Sequence, residues 1–62
     1  MHRLELSDEE ITMLRAVLEA QLRALPREIH VTHDRHFREV LKRKQAALEA
    51  VVGRLPVPHE AR

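Results

Sequence analysis

The chain has 62 residues, a formal net charge of +1, no cysteine, tyrosine or tryptophan, and a single aromatic residue, Phe37. Without cysteine there is no disulfide and no thiolate zinc site, and one aromatic ring makes no platform on which nucleic-acid bases stack. A chain of about 60 residues buries only about 60% of the surface that its unfolded form exposes. We therefore expect one small domain that gains stability from a partner chain or a metal ion.

The N-terminal residues 1–6 are predicted to form a short extended arm, because Leu4 and Leu6 flank Glu5 with the period of a strand. This segment lacks the apolar stretch of a signal peptide, and no apolar run in the chain approaches the roughly 20 residues of a membrane span. The sequence therefore predicts a cytoplasmic protein with no membrane partner.

The first helix has a clear start signal. Ser7 and Glu10 have the spacing of a capping box, in which each side chain accepts a hydrogen bond from the other residue's backbone N–H. Leu6 and Ile11 occupy the positions of the hydrophobic staple that accompanies such a cap. Helix 1 is therefore predicted to begin at Asp8.

Helix 1 is predicted to cover about 8–29. Pro26 removes the hydrogen bond to the carbonyl of Leu22, so the sequence leaves open whether the helix breaks there or continues with a kink. Two neighbouring apolar rows cover roughly 200° of the helix surface, which is more than one adjacent helix can cover. The rows consist of Ile11, Leu14, Leu18, Leu22 and Leu25, and beside them Met13, Val17, Ala20 and Ala24.

Helix 2 is predicted to cover about 33–54, with Thr32 or Asp34 as its N-terminal cap. Gly53 favours an end of the helix nearby, and Pro56 enforces it, so residues 56–62 are predicted to be a mobile tail. Apolar positions recur at alternating spacings of four and three, as in the seam of a coiled coil. This predicted seam consists of Phe37, Leu41, Lys44, Leu48, Val51 and Leu55.

A short connection makes the two helices antiparallel neighbours, so residues 7–55 are predicted to form an all-α helical hairpin. The wide apolar surface of helix 1 then needs a second neighbour, and we predict a homodimer with a four-helix bundle core. A tetramer, or docking on an unidentified protein, stays open. The predicted interface residues are Ile11, Met13, Leu14, Val17, Leu18, Gln21, Leu22, Leu25, Phe37, Val40, Leu41, Lys44, Leu48 and Val51.

Two polar residues interrupt the apolar rows. The favoured interpretation is that Lys44 lays its methylene groups along the seam and directs its ammonium group to water, with Gln21 at a groove or subunit junction. The alternative is that the pair fixes the register and the oligomeric state, as single polar residues do in coiled coils.

Three histidines, His30, His33 and His36, surround the predicted connection. Imidazoles doubled by a two-fold axis could hold Zn²⁺ or Ni²⁺. Their spacing, however, matches neither the HExxH motif nor the Glu-x-x-His motif of di-iron bundles. We interpret them as polar residues around a helix start and predict no cofactor, with these three as the alternative metal ligands.

Helix 2 also carries a basic face, which predicts an alternative function as a nucleic-acid-associated regulatory protein that contacts phosphates. Glu39 and Glu49 interrupt this face, so it is the less favoured hypothesis. Its candidate residues are Arg35, Arg38, Lys42 and Arg43.

Catalysis is not predicted, because a single glycine forms no phosphate-binding loop and the single serine is already assigned to the cap. The favoured function is therefore a small, non-enzymatic, homo-oligomeric protein–protein interaction module.

The segments "LSDEEITML" and "EIHVTHDRHFREVLKRKQAALEAVV" follow a definite order: a capped acidic helix, a Glu-Ile pair, a Thr-Asp turn, then Arg-x-Phe-Arg and Leu-Lys-x-Arg. This order resembles a group of short uncharacterised bacterial proteins, and the resemblance implies a helical hairpin but no chemistry. Pro26 and the histidines depart from the pattern, and Lys44 stands where arginine is expected. The matching positions are Glu28–Ile29, Thr32 with Asp34, Arg35–Phe37–Arg38 and Leu41–Lys42–Lys44.

Overall fold

The computed structural model describes residues 1–57, and within them the chain is a hairpin of two α-helices with no strand. Helix α1 spans Asp8–Val31 and helix α2 spans Arg35–Arg54, and the two pack against each other. The predicted all-α hairpin is therefore confirmed. Residues 58–62, which make up most of the predicted tail, lie outside the described residues.

The start of α1 has the predicted capping box. The Ser7 hydroxyl accepts a hydrogen bond from the Glu10 backbone N–H at 3.1 Å, and the Glu10 carboxylate accepts one from the Ser7 N–H at 2.8 Å. Leu6 is half-buried and Ile11 is buried, as the staple requires. Two of the unpaired donors at this helix end are thereby satisfied.

Helix α1 continues through Pro26 and ends at Val31, two residues beyond the predicted end at residue 29. Its last turn is closed by Thr32, whose backbone N–H donates to the carbonyl oxygen of Glu28 at 3.1 Å. The Thr32 hydroxyl donates to the same oxygen at 2.6 Å. These two bonds stabilise the segment after the proline, so the helix does not stop where its hydrogen-bond ladder is interrupted.

Helix α2 begins at Arg35, two residues later than the predicted residue 33. The reason is the cap: a carboxylate oxygen of Asp34 accepts hydrogen bonds from the backbone N–H groups of His36 at 2.9 Å and Phe37 at 3.3 Å. Thr32 belongs to the end of α1 instead. Of the two predicted caps, Asp34 is therefore the one that starts α2.

The predicted end of helix 2 at residue 54 agrees with the structure, although Gly53 itself lies within the helix and has no positive φ angle. The helix ends at Arg54, and Leu55 is its cap in an extended conformation, with φ −70° and ψ 135°. Pro56 imposes this ending, since a residue that precedes proline avoids the helical region.

The hairpin core lies along one stripe of each helix. Ile11, Leu25 and Leu41 are buried. Half-buried neighbours extend the stripe in both directions; they are Leu14, Leu18, Leu22 and Ile29 on α1, Arg38, Gln45, Leu48 and Val52 on α2, and the cap residue Leu55. Among the described residues, neither helix combines the length and the hydropathy that a bilayer crossing requires.

The α2 stripe differs from the predicted seam. Leu41, Leu48 and Leu55 belong to both, but Phe37, Lys44 and Val51 are exposed. Their places in the contact with α1 are taken by Arg38, Gln45 and Val52, which lie one residue further along. The long stems of arginine and glutamine can line an apolar contact while their polar ends reach water.

Candidate interaction surface

Helix α2 exposes a second apolar row beside its buried stripe. Phe37, Val40 and Val51 keep 48%, 42% and 41% of their surface accessible, and Lys44 and Ala47 in the same row are exposed as well. The spacings again alternate between three and four, so the row forms a straight stripe along the helix. Within residues 1–57 these side chains therefore stay open to solvent.

Helix α1 exposes a matching row. Val17 is 58% accessible, Gln21 and Ala24 are exposed, and Leu14 is half-buried at one end of the row. Met13, at 64% accessible, lies further round the helix, away from α2. The second apolar row that the sequence predicts on helix 1 is therefore open to solvent in the hairpin.

The two rows lie on the same side of the hairpin. At about 100° per residue, each row is centred about 90° from the buried stripe of its own helix, and the offset has the same rotational sense in both. Because the helices are antiparallel, equal offsets place both rows on one side. We call this side the apolar face; it consists of Leu14, Val17, Gln21 and Ala24 with Phe37, Val40, Lys44, Ala47 and Val51.

The opposite side of the hairpin is cationic near the connection. Arg38 and Lys42 line two shallow depressions there. One, of about 310 Å³, adds His33, Arg35 and Glu39, and the other, of about 490 Å³, reaches across to His30 of α1. The only ion pair within this group joins Lys42 to Glu39 at 3.9 Å, a distance that contributes little in water. We call His30, His33, Arg35, Arg38 and Lys42 the cationic face.

The predicted phosphate-contacting residues do not all meet. Arg35, Arg38 and Lys42 share one depression, so the structure brings three of the four together. Arg43 projects from the side of α2 that faces away from α1, about 100° further round than Lys42. The face that phosphate could contact is therefore shared between the connection, α2 and the end of α1.

The three candidate metal ligands occupy different elements. His30 lies in the last turn of α1, His33 in the connection and His36 in the first turn of α2, and all three are exposed. In the part of the chain from 1 to 57, no three histidine or carboxylate side chains converge in a way that could hold a metal ion. His30 and His33 instead border Arg38 and Lys42, whose charge opposes a divalent cation.

One structural residue escaped prediction. Arg15 is half-buried and donates a hydrogen bond to the Leu55 carbonyl oxygen at 3.0 Å and another to Glu19 at 3.2 Å. Its Nε is buried without a partner. An arginine near the start of one helix of an antiparallel hairpin faces the free carbonyl groups at the end of the other, which is the signal that could have identified it.

In comparisons with known proteins, neither a family model, nor a curated protein, nor a solved structure matches this chain. The resemblance to short bacterial hairpin proteins therefore stays a prediction, and the surface geometry alone supports any functional proposal.

Proposed function

We propose that this protein is a non-enzymatic interaction module that binds a second copy of itself through the apolar face. Two hairpins joined in this way form a four-helix bundle with a shared core. The observation that supports this proposal is the alignment of two uncovered apolar rows on one side of the hairpin.

The dimensions of the hairpin bear on the strength of the proposed dimer. The accessible surface of the chain is 5708 Å², whereas a compact chain of 7.3 kDa is expected to expose about 4,200 Å². Two helices side by side form a single layer, and such a layer exposes more surface than a compact chain of the same mass. At about 1.5 Å per residue, the row on α1 is about 15 Å long and the row on α2 about 21 Å long, so with a width of about 20 Å two copies would bury on the order of 800 Å² together. Interfaces of this size are weak and transient, so we expect self-association at high protein concentration.

Two features support leaving an enzymatic role out of this proposal. The Ser7 hydroxyl is held in the capping box, and the two depressions of the cationic face are shallow and open to solvent. Catalytic sites usually lie in enclosed settings that exclude water.

The test is solution mass as a function of concentration, measured by sedimentation or light scattering. The wild-type chain is expected to change from 7.3 kDa to twice that mass as concentration rises. Val40→Glu places a charge in the apolar face and should shift dimerisation to at least about tenfold higher concentration. The matched control is Ala46→Glu, on the exposed outer side of the same helix, which should dimerise like the wild type. A wild-type chain that stays at 7.3 kDa at millimolar concentration would refute self-association.

A second candidate is the binding of a nucleic-acid backbone by the cationic face. The observation that favours it is the convergence of Arg35, Arg38 and Lys42 around one depression. A fluorescent duplex should bind at low salt, and its affinity should fall steeply as salt rises. Lys42→Ala should weaken binding several-fold, and Arg43→Ala, on a different side of α2, should weaken it less. Equal losses from both variants would assign the binding to net charge rather than to this face.

A further inference from the structure

We infer that the two copies pack with their connections at the same end of the bundle, so that α1 of each chain lies against α2 of the other. This inference rests on the proposed function, and it specifies the arrangement of that interface. In this arrangement the two-fold axis runs parallel to the helices, between the two apolar faces.

The first observation that favours it is the height of the two polar residues of the apolar face, that is, their distance from the connection along the helix axes. Residues at similar distances from His33 along the chain lie at similar heights in an antiparallel hairpin, so Gln21 and Lys44 are level. A two-fold axis parallel to the helices preserves height. Each Lys44 ammonium group then lies opposite the Gln21 side chain of the second copy, whose amide oxygen can accept its hydrogen bond.

The competing arrangement has the two connections at opposite ends, with α1 against α1 and α2 against α2. In that case Lys44 comes near Lys44 of the second copy when Phe37 is set against Val51 and Val40 against Ala47. Two ammonium groups in a partly dehydrated interface repel each other strongly, and nothing in the α2 row neutralises them.

The second observation is the charge of each helix. Helix α1 carries five carboxylates and three arginines, whereas α2 carries six lysines and arginines and two carboxylates. With the connections at the same end, each acidic helix has two basic neighbours in the bundle. With the connections at opposite ends, like-charged helices become neighbours, so charge complementarity favours the first arrangement.

The third observation is the stagger of the two rows. Val17 lies midway in height between Ala47 and Val51, and Ala24 lies midway between Val40 and Lys44. Packing the α1 row against the α2 row of the second copy therefore places each of these α1 side chains between two side chains of α2. Such a stagger lets facing helices interdigitate.

The natural chain has no cysteine, so single cysteines report the arrangement directly. We would mix the variants Ala24→Cys and Val40→Cys, oxidise them mildly and identify the disulfides by mass spectrometry. Each chain then has one thiol, and every disulfide is intermolecular. The mixed disulfide between positions 24 and 40 is expected to form at least about ten times faster than the mixed disulfide of Ala24→Cys with Ala46→Cys, because disulfides need Cα atoms within about 7 Å.

The competing arrangement has its own reporter, a mixture of Val40→Cys with Ala47→Cys. Rapid disulfide formation in that mixture, with slow formation between positions 24 and 40, would overturn the inferred arrangement while leaving self-association intact. Slow formation in both mixtures from a chain that is dimeric by mass would also overturn it. A chain that is monomeric by mass would instead refute the proposed function itself, so the two failures are distinguishable.

Discussion

The guanidinium group of Arg15 donates a hydrogen bond to the carbonyl oxygen of Leu55 at 3.0 Å, and so joins the first half of α1 to the residue that caps α2. The carbonyl groups at a helix end have no partner within the helix, and a positive charge beside them is stabilising. A second hydrogen bond, to Glu19 at 3.2 Å, orients the side chain. This contact fixes the end of the hairpin that is opposite the connection.

Replacing Arg15 by methionine keeps much of the side-chain volume and removes the donor. We expect the free energy of unfolding to fall by about 1–2 kcal/mol, since hydrogen bonds that involve a charged group contribute about 1.5–3 kcal/mol and Arg15 is partly open to water. Urea unfolding at one fixed protein concentration measures it. Arg23→Met, an exposed position on the same helix, should change stability by less than about 0.5 kcal/mol. Equal effects at both positions would show that the contact contributes nothing specific.

Gly53 offers a stabilising substitution. It lies inside α2, and a Cβ atom built there meets no atom within 4 Å. Gly53→Ala should therefore raise the free energy of unfolding by about 0.5–1 kcal/mol, because alanine loses less backbone entropy on folding. The converse substitution Ala50→Gly, at an exposed position of the same helix, should lower it by a similar amount. Thermal melting checks both, and a destabilised Gly53→Ala chain would contradict the helical assignment.

Pro26 interrupts the hydrogen bonds of α1 without ending the helix. Pro26→Ala restores the N–H donor to the carbonyl of Leu22, and proline costs about 3 kcal/mol relative to alanine inside a helix. Alanine also makes the unfolded chain more flexible than proline does, and this entropy offsets about 1 kcal/mol of the gain in stability. We expect a net gain of about 2 kcal/mol in unfolding experiments. Arg27→Ala, the exposed neighbour, is the control and should leave the melting midpoint nearly unchanged.

Substitutions at Leu41 and Phe37 separate the stability that comes from the core of one hairpin from the stability that comes from the interface between two hairpins. Leu41 is buried in the hairpin, so Leu41→Ala should cost about 2–4 kcal/mol at every protein concentration. Phe37 is half exposed, so Phe37→Ala should cost little in dilute samples and progressively more as dimers form. Melting at two concentrations about a hundredfold apart measures this. The self-association proposal would lose its support if both losses were independent of concentration.

The sequence predicts the helical hairpin and the start of α1 well, because these depend on local signals. Ser7 and Glu10 satisfy each other within one turn, and no distant contact is needed. The start of α2 is less determined, since Thr32 and Asp34 can both act as caps. Thr32 is bound to Glu28 in the structure, and this contact leaves Asp34 to begin the next helix.

The orientation of α2 could not be predicted from apolar spacing alone. Two overlapping rows share Leu41 and Leu48, and the row through Phe37 is the more apolar of the two. The structure packs the other row, through Arg38 and Gln45, against α1 and leaves Phe37 outside. Spacing reveals how wide an apolar surface is, but which edge meets the neighbour depends on the packing of whole helices.

The connection Thr32–Asp34 has a kinetic consequence. It ends α1 and starts α2 within three residues, each end with its own side-chain hydrogen bonds, so closing the chain costs little entropy. Contacts between the two helices can then form first next to the connection and later at the far end of the hairpin. Helical proteins with such local contacts fold within microseconds to milliseconds. Association of two hairpins, whose rate falls as the solution is diluted, would then be the rate-limiting step in forming the dimer.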